Sequence, residues 1–160
     1  MISVYTLIMT KSPATKPLDP VEFETCTCAN LRKATRAVTQ EFDAALKPVG
    51  LKATQFSVLA TLASRGDAPL TRLADALVMD RTTLTRNLKP LVKKGLIRID
   101  HEADQRIRKV SLSETGKRVL GQARPHWERA QLRLVDKLGQ ARWSGFLTDL
   151  SATVAVVRGR

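Results

Sequence analysis

Two short apolar stripes set three residues apart constrain this chain more than any other feature. Leu70, Leu73, Ala74 and Leu77 recur at the i, i+3, i+4, i+7 spacing of one helix face. Val78, Met79 and Asp80 interrupt the pattern, with Asp80 placed as the N-cap of the next helix. Leu84, Leu88, Leu91 and Val92 form the inner face of that second helix, which stops at Gly95. Two short helices joined by about three residues suit a helix-turn-helix. Leu96 to Asp100 then reads as a strand, His101 to Gln105 as a polar turn, and Arg106 to Leu112 as a second strand carrying Arg108, Val110 and Leu112 on one face. A hairpin directly after a helix-turn-helix is a wing.

The flanks read as helices. Leu31, Ala34, Val38, Phe42, Ala45 and Leu46 line one face, and Pro48 with Gly50 stops that helix. A second is expected from Thr54 as N-cap to Gly66, burying Phe56, Leu59, Ala60 and Ala63. Gly66, Asp67 and Pro69 read as a turn. Ser113 caps a long helix containing Pro125, a residue that can bend it. Beyond Gly139, Phe146, Leu150, Val154 and Val157 form a stripe with little core left to cover in its own chain. That stripe is expected to pack on a second subunit beside the first helix. The fold class is thus mainly α with a small β-hairpin wing, a winged helix-turn-helix with terminal dimerisation helices. The expected divisions are a mobile N-terminal arm (1–20), an N-terminal dimerisation helix (21–50), the DNA-binding domain (51–112) and C-terminal dimerisation helices (113–160).

Charge locates the surface that matters. Lys and Arg number 27 against 15 Asp and Glu, a net of +12. Residues 81–109 hold nine basic side chains and three acidic ones, half of the whole imbalance. Between Arg81 and Ile99 there is no acid at all. A merely solvated face interleaves Glu with Lys; an acid-free one suits phosphate. The outer face of the second helix offers Arg81, Thr82, Thr83, Thr85, Arg86 and Asn87, with Lys89 one turn on. Arg reads guanine O6 and N7, Asn reads adenine, and Thr offers a hydroxyl and a methyl. Pro90 removes a backbone donor and crowds the Arg86 carbonyl, so the helix either kinks there or tolerates a bend. In the wing, Asp104 and Arg106 lie two apart on one side of an extended strand, with Arg108 beyond them. A carboxylate can hold a guanidinium in one pose for a narrow minor groove, or the two form a plain surface ion pair.

Together, Asp104-Gln105-Arg106 with Val110, Leu112, Ser113 and Gly116, Asp80-Arg81-Thr82-Thr83-Leu84-Thr85-Arg86, and Gly95-Leu96-Ile97 resemble the wing, the recognition helix and its exit in the MarR family of bacterial transcription regulators. The resemblance covers roughly Leu31 to Val157. It implies a winged-helix homodimer on a pseudo-palindromic double-stranded operator, one recognition helix per half-site and wings in the flanking minor grooves. It also implies repression relieved by a small aromatic or other organic effector, or by oxidation.

Cys26 and Cys28 precede the first helix, and the segment from Cys28 to Phe56 resembles the organic-hydroperoxide-sensing branch of that family. Cys28 falls where that branch carries its reactive cysteine, and the positive end of a helix favours thiolate. The supporting tyrosines of that branch are replaced here by Ala53 and Phe56, and Tyr5 is the chain's one tyrosine. The pair therefore reads as structural, as a redox switch, or, least well, as part of a metal site: one C-x-C with isolated His101 and His126 lacks ligand spacing. Trp127 and Trp143 suit core filling or the wall of an effector pocket.

Other classes fall away. No apolar run approaches the ~20 residues of a membrane span. Met1 to Met9 has no basic residue before it, which makes a poor signal peptide. Two cysteines cannot build a disulfide framework. No phosphate loop, catalytic carboxylate pair or nucleophile elbow appears, so neither an enzyme nor a cofactor is expected. A cytoplasmic, sequence-specific DNA-binding regulator is expected, with a non-specific architectural DNA-binding protein as the alternative.

Overall fold

A computed structural model describes residues 24–101 and 108–159. The arm, residues 1–20, and the wing tip with Asp104 and Arg106 lie outside the described residues. The chain divides into two compact units, Met1–Val38 and Thr39–Arg160. Helix α1 spans Thr27–Leu46 and runs through the division.

In the first unit, α1 begins before the apolar repeat does. The Asn30 side-chain amide donates to the carbonyls of Glu24 (2.6 Å) and Cys26 (3.0 Å), and fixes the entry to the helix. An apolar periodicity cannot register a polar first turn of this kind. Both cysteines are free, Cys26 partly covered and Cys28 exposed.

In the second unit, Phe42 and Leu46 bury the end of α1. A 3-10 turn over Lys47–Val49 follows, and Gly50 closes it at φ 67°, the left-handed region that favours glycine. Helix α2 spans Ala53–Arg65, so its N-cap is Lys52 rather than Thr54. The cap is supplied from α1: Asp43 Oδ1 accepts from the Ala53 N–H at 2.7 Å, and Gln55 Oε1 accepts from the Lys52 N–H. A carboxylate ten residues upstream satisfies a donor that a local Thr would otherwise have taken. Phe56 and Leu59 are buried as expected, together with Val58 and Leu62, whereas Ala63 is exposed.

The stretch read as a turn contains a strand. β1 (Ala68–Pro69) pairs antiparallel with β3 (Arg108–Leu112), which pairs antiparallel with β2 (Ile97–His101), in the order β1-β3-β2. Pro69 sits on the edge strand, where a missing N–H is tolerated. Two residues carry no alternation, so only the partner strand reveals β1.

Helices α3 (Leu70–Ala76) and α4 (Arg81–Lys93) form the helix-turn-helix. Leu77, Val78 and Met79 donate backbone N–H groups to the carbonyls of Leu73, Asp75 and Ala74, which fixes the turn. Val78 takes φ 54°, a costly conformation for a β-branched residue that the surrounding turn enforces. The core is continuous across α2, α3, α4 and β3, with Leu59, Leu73, Leu84, Leu88, Leu91 and Val110 almost wholly buried. Of the four residues expected on the inner face of α4, Leu84, Leu88 and Leu91 are buried, whereas Val92 is 43% exposed.

Helix α5 spans Glu114–Leu138 and continues past Pro125. Its start is a junction. Ser113 accepts from the Gly116 N–H (2.9 Å), donates its hydroxyl to the Gly95 carbonyl (2.6 Å), and donates its N–H to the Leu96 carbonyl (3.1 Å). One serine thus caps α5, ends β3 and holds the exit of α4. Trp127 on α5 stacks on Phe56 with ring centroids 5.6 Å apart, the core role. Helix α6 (Gln140–Arg158) buries none of its residues; Phe146, Leu147, Val154, Val156 and Val157 are exposed. No helix among the described residues is long and apolar enough to cross a membrane.

Candidate nucleic-acid interface

Helix α4 starts where a single carboxylate places it. Asp80 Oδ1 accepts from the Thr83 N–H at 2.8 Å, and Oδ2 from the Thr83 hydroxyl at 2.6 Å. The Thr83 hydroxyl, and then the backbone N–H groups, hold the Asp80 carboxyl below the usual aspartate range. A depressed folded-state pKa adds stability at pH values above the unfolded pKa and loses it as pH falls through the folded one. Asp80→Asn should therefore flatten the acid limb of a thermal-stability profile below about pH 4, and leave neutral-pH folding in place. An unchanged acid limb would remove Asp80 from this role.

Above the cap, the sequence-predicted residues separate into three groups. Arg81, Thr82, Arg86 and Lys89 are exposed, and no ion pair engages these cations among the described residues. With Thr85, Leu70 and Arg108 they line one groove of about 560 Å³. The basic face of α4 and the base of the wing strand therefore converge on the same space. Thr83 is spent on the cap, and the Thr85 hydroxyl donates to the Arg81 carbonyl at 2.7 Å. Asn87 is partly buried and directs its amide at Met79 Sδ (3.5 Å), so it braces the turn in this structure instead of facing outward. Sequence position alone could not separate these roles, because a Thr or Asn next to a helix start is equally suited to a base and to its own backbone.

Helix α4 continues through Pro90, and the Pro90 carbonyl accepts from the Lys94 N–H at 3.1 Å. Lys94 is turned back to the scaffold, its Nζ donating to the Gly50 carbonyl at 2.6 Å. Leu70, a wall of the groove contributed by α3, carries no polar signal and was invisible as a site residue in the sequence.

A further link joins segments far apart in the chain. Arg158 at the end of α6 donates to both the carbonyl and the carboxylate of Asp75, each at 3.0 Å. Asp75 is the residue whose carbonyl also accepts from Val78 in the turn. The last helix is thereby tied to the first helix of the pair; two residues 83 apart offer no pattern to read. Among the described residues no group of His, Cys, Asp and Glu could hold a metal ion.

A three-helix core with an antiparallel wing and a basic, acid-free second helix defines a winged helix-turn-helix DNA-binding protein. The MarR family model matches residues 51–107. The M. tuberculosis transcriptional regulator MosR, solved in complex with DNA, is 34% identical over 83% of this chain and 98% of that one, with a TM-score of 0.74. The transcriptional repressor CouR bound to a 23-mer DNA duplex is 26% identical over 87% and 99%, TM-score 0.75. AbsC, a MarR family regulator from Streptomyces coelicolor, shares the fold at 23% identity over 91% and 100%, TM-score 0.73. The sequence matches no curated protein. The chain belongs to the MarR family of DNA-binding transcriptional regulators.

Proposed function

We infer that this chain is a homodimeric repressor that reads a pseudo-palindromic operator with α4. The observation that carries the reading is the convergence of Arg81, Arg86, Lys89 and Arg108 on one groove without a carboxylate partner among the described residues. Unpaired cations on a rigid helix are ready for phosphate and guanine, and Leu84, Leu88 and Leu91 beneath them fix the helix in place. The DNA-bound states of MosR and CouR support it. The exposed apolar residues of α6 support the dimer, with residues 21–50 and 113–160 as its dimerisation regions and 51–112 as the reading head. Arg106 belongs to the same reading as a minor-groove contact, with Asp104 as the carboxylate that holds its guanidinium in one pose.

The test compares base preference with bulk affinity. Arg86→Ala should cost about 1–3 kcal/mol on the operator in the gene's own upstream region and relax preference at one position per half-site. Lys93→Ala, an exposed residue on the same helix, should weaken binding equally on operator and random duplex. Equal losses on both duplexes for both variants would favour an architectural protein instead.

Release by a signal completes the reading. Cys28 is an exposed thiol at the second residue of α1 with Cys26 two residues away, accessible to an oxidant. Cys28→Ser should keep DNA binding and abolish release by peroxide. Unchanged release by peroxide in that variant would take Cys28 out of the switch.

A further inference from the structure

A second basic cleft lies beside the groove and takes no part in the interface described above. It encloses about 370 Å³ between the end of α2, β1 and α3, walled by Thr61, Arg65, Asp67, Pro69, Arg72 and Leu73. Its floor is apolar, since Leu73 is almost wholly buried, and its rim carries two exposed guanidinium groups. Arg65 and Arg72 have neither an ion pair nor a side-chain hydrogen bond among the described residues. The acid in the wall, Asp67, is drawn to Lys109 Nζ at 3.9 Å. Three arginines on the C-terminal helices are placed differently: Arg124, Arg133 and Arg158 each hold a carboxylate at 2.7–3.0 Å.

The cleft adjoins the groove along the chain and through the β1–β3 pairing. Pro69 walls the first and Leu70, the next residue, walls the second. β1 pairs with β3 so that Pro69 lies opposite Lys109, adjacent to Arg108 of the groove. Cations therefore extend from Arg86 and Arg81 through Arg108 and across β1 to Arg72 and Arg65. A duplex seated on α4 continues past the base pairs that α4 touches, and its backbone offers a phosphate charge every ~1.7 Å of axis. Guanidinium groups left without carboxylate partners match that ligand, because bidentate phosphate pairing is what their planar donor fork provides.

We propose that Arg65 and Arg72 form a second, sequence-independent phosphate clamp that grips the DNA backbone beyond the segment read by α4. The proposal rests on the reading of α4 as the DNA-contacting helix. It assigns to this cleft affinity and register, and no base preference.

The test is the salt dependence of binding on a long random duplex, with Arg65→Gln/Arg72→Gln against wild type. Loss of two phosphate contacts from each subunit of the dimer should make the slope of log K against log salt shallower by about 4, with the same loss when the long duplex contains the operator. Arg65→Lys/Arg72→Lys keeps the charge and should restore most of the slope, which separates phosphate contact from damage to the fold. Trimming the duplex to the operator itself should shrink the difference between wild type and the Gln variant. An undiminished slope in the Gln variant overturns the clamp. If that variant also loses binding of benzoate that wild type shows, the cleft belongs to a small organic anion. Arg86→Ala run in parallel separates the two failures: a loss of base preference there with no slope change here leaves the α4 reading standing, and no effect in either removes both.

Discussion

Gly116→Ala should lower the melting temperature, although Gly-to-Ala inside a helix is ordinarily stabilising by up to about 1 kcal/mol. Gly116 lies in the first turn of α5, where a Cβ would overlap the Leu96 carbonyl oxygen and come within 2.8 Å of Leu112 Cδ1. The decisive obstacle is the Leu96 backbone, which cannot swing aside as a side-chain end can. The Leu96 carbonyl is also the acceptor for the Ser113 N–H, which ties it to the α5 cap. Overpacking of this kind costs about 1–3 kcal/mol, or roughly 3–10 °C in a chain this long. Gly121 supplies the internal control. It lies one and a half turns further along the same helix with nothing within 4 Å of its would-be Cβ, so Gly121→Ala should raise the melting temperature. Parallel thermal melts followed by circular dichroism decide it. Stabilisation by both alanines would mean that α5 does not approach Leu96 this closely.

Leu88→Ala should destabilise by about 2–5 kcal/mol, the range for emptying a fully buried aliphatic site. Leu88 is 1% exposed and lies on α4 between Leu84 and Leu91, so the cavity would open directly beneath the basic face. Denaturant unfolding should show a lower midpoint with an unchanged slope. DNA affinity should fall more than the folded fraction alone explains, because α4 would lose its fixed seat while keeping every cation. Val92→Ala provides the contrast: at 43% exposure it should cost under about 1 kcal/mol. Equal losses at the two positions would place the α4 stripe wrongly.

These two positions also show what kind of information the sequence carries. The Leu84, Leu88, Leu91 stripe was legible because a period of 3.6 residues exposes the buried face of a helix without reference to anything else. Asp80 and Ser113 were legible as caps because an N-cap acts within three residues of itself. The cap of α2 was not, since its acceptor, Asp43, belongs to another helix. β1 was missed for the same reason: two residues have no period, and the strand exists through its hydrogen bonds to β3. The candidate site divides in the same way. Arg81, Arg86, Lys89 and Arg108 were named from charge and residue type, and the fold brings them to one groove. Asn87 and Thr83 carry equally suitable chemistry and are turned to Met79 and Asp80.

The sequence by itself determined the helix-turn-helix, the wing strands, the caps at Asp80 and Ser113, and the face on which positive charge collects, because each depends on spacing or composition within a few residues. Tertiary structure decided which of those polar groups are already occupied and which remain open to a ligand. It also decided the links that join distant segments: Asp43 to Ala53, Leu96 to Ser113, Arg158 to Asp75, and the cleft shared by Arg65 and Arg72. The physical reason is range. Local backbone geometry is set by neighbours along the chain, whereas a hydrogen-bond partner or a cavity wall is set by whatever the closed chain places within a few ångströms.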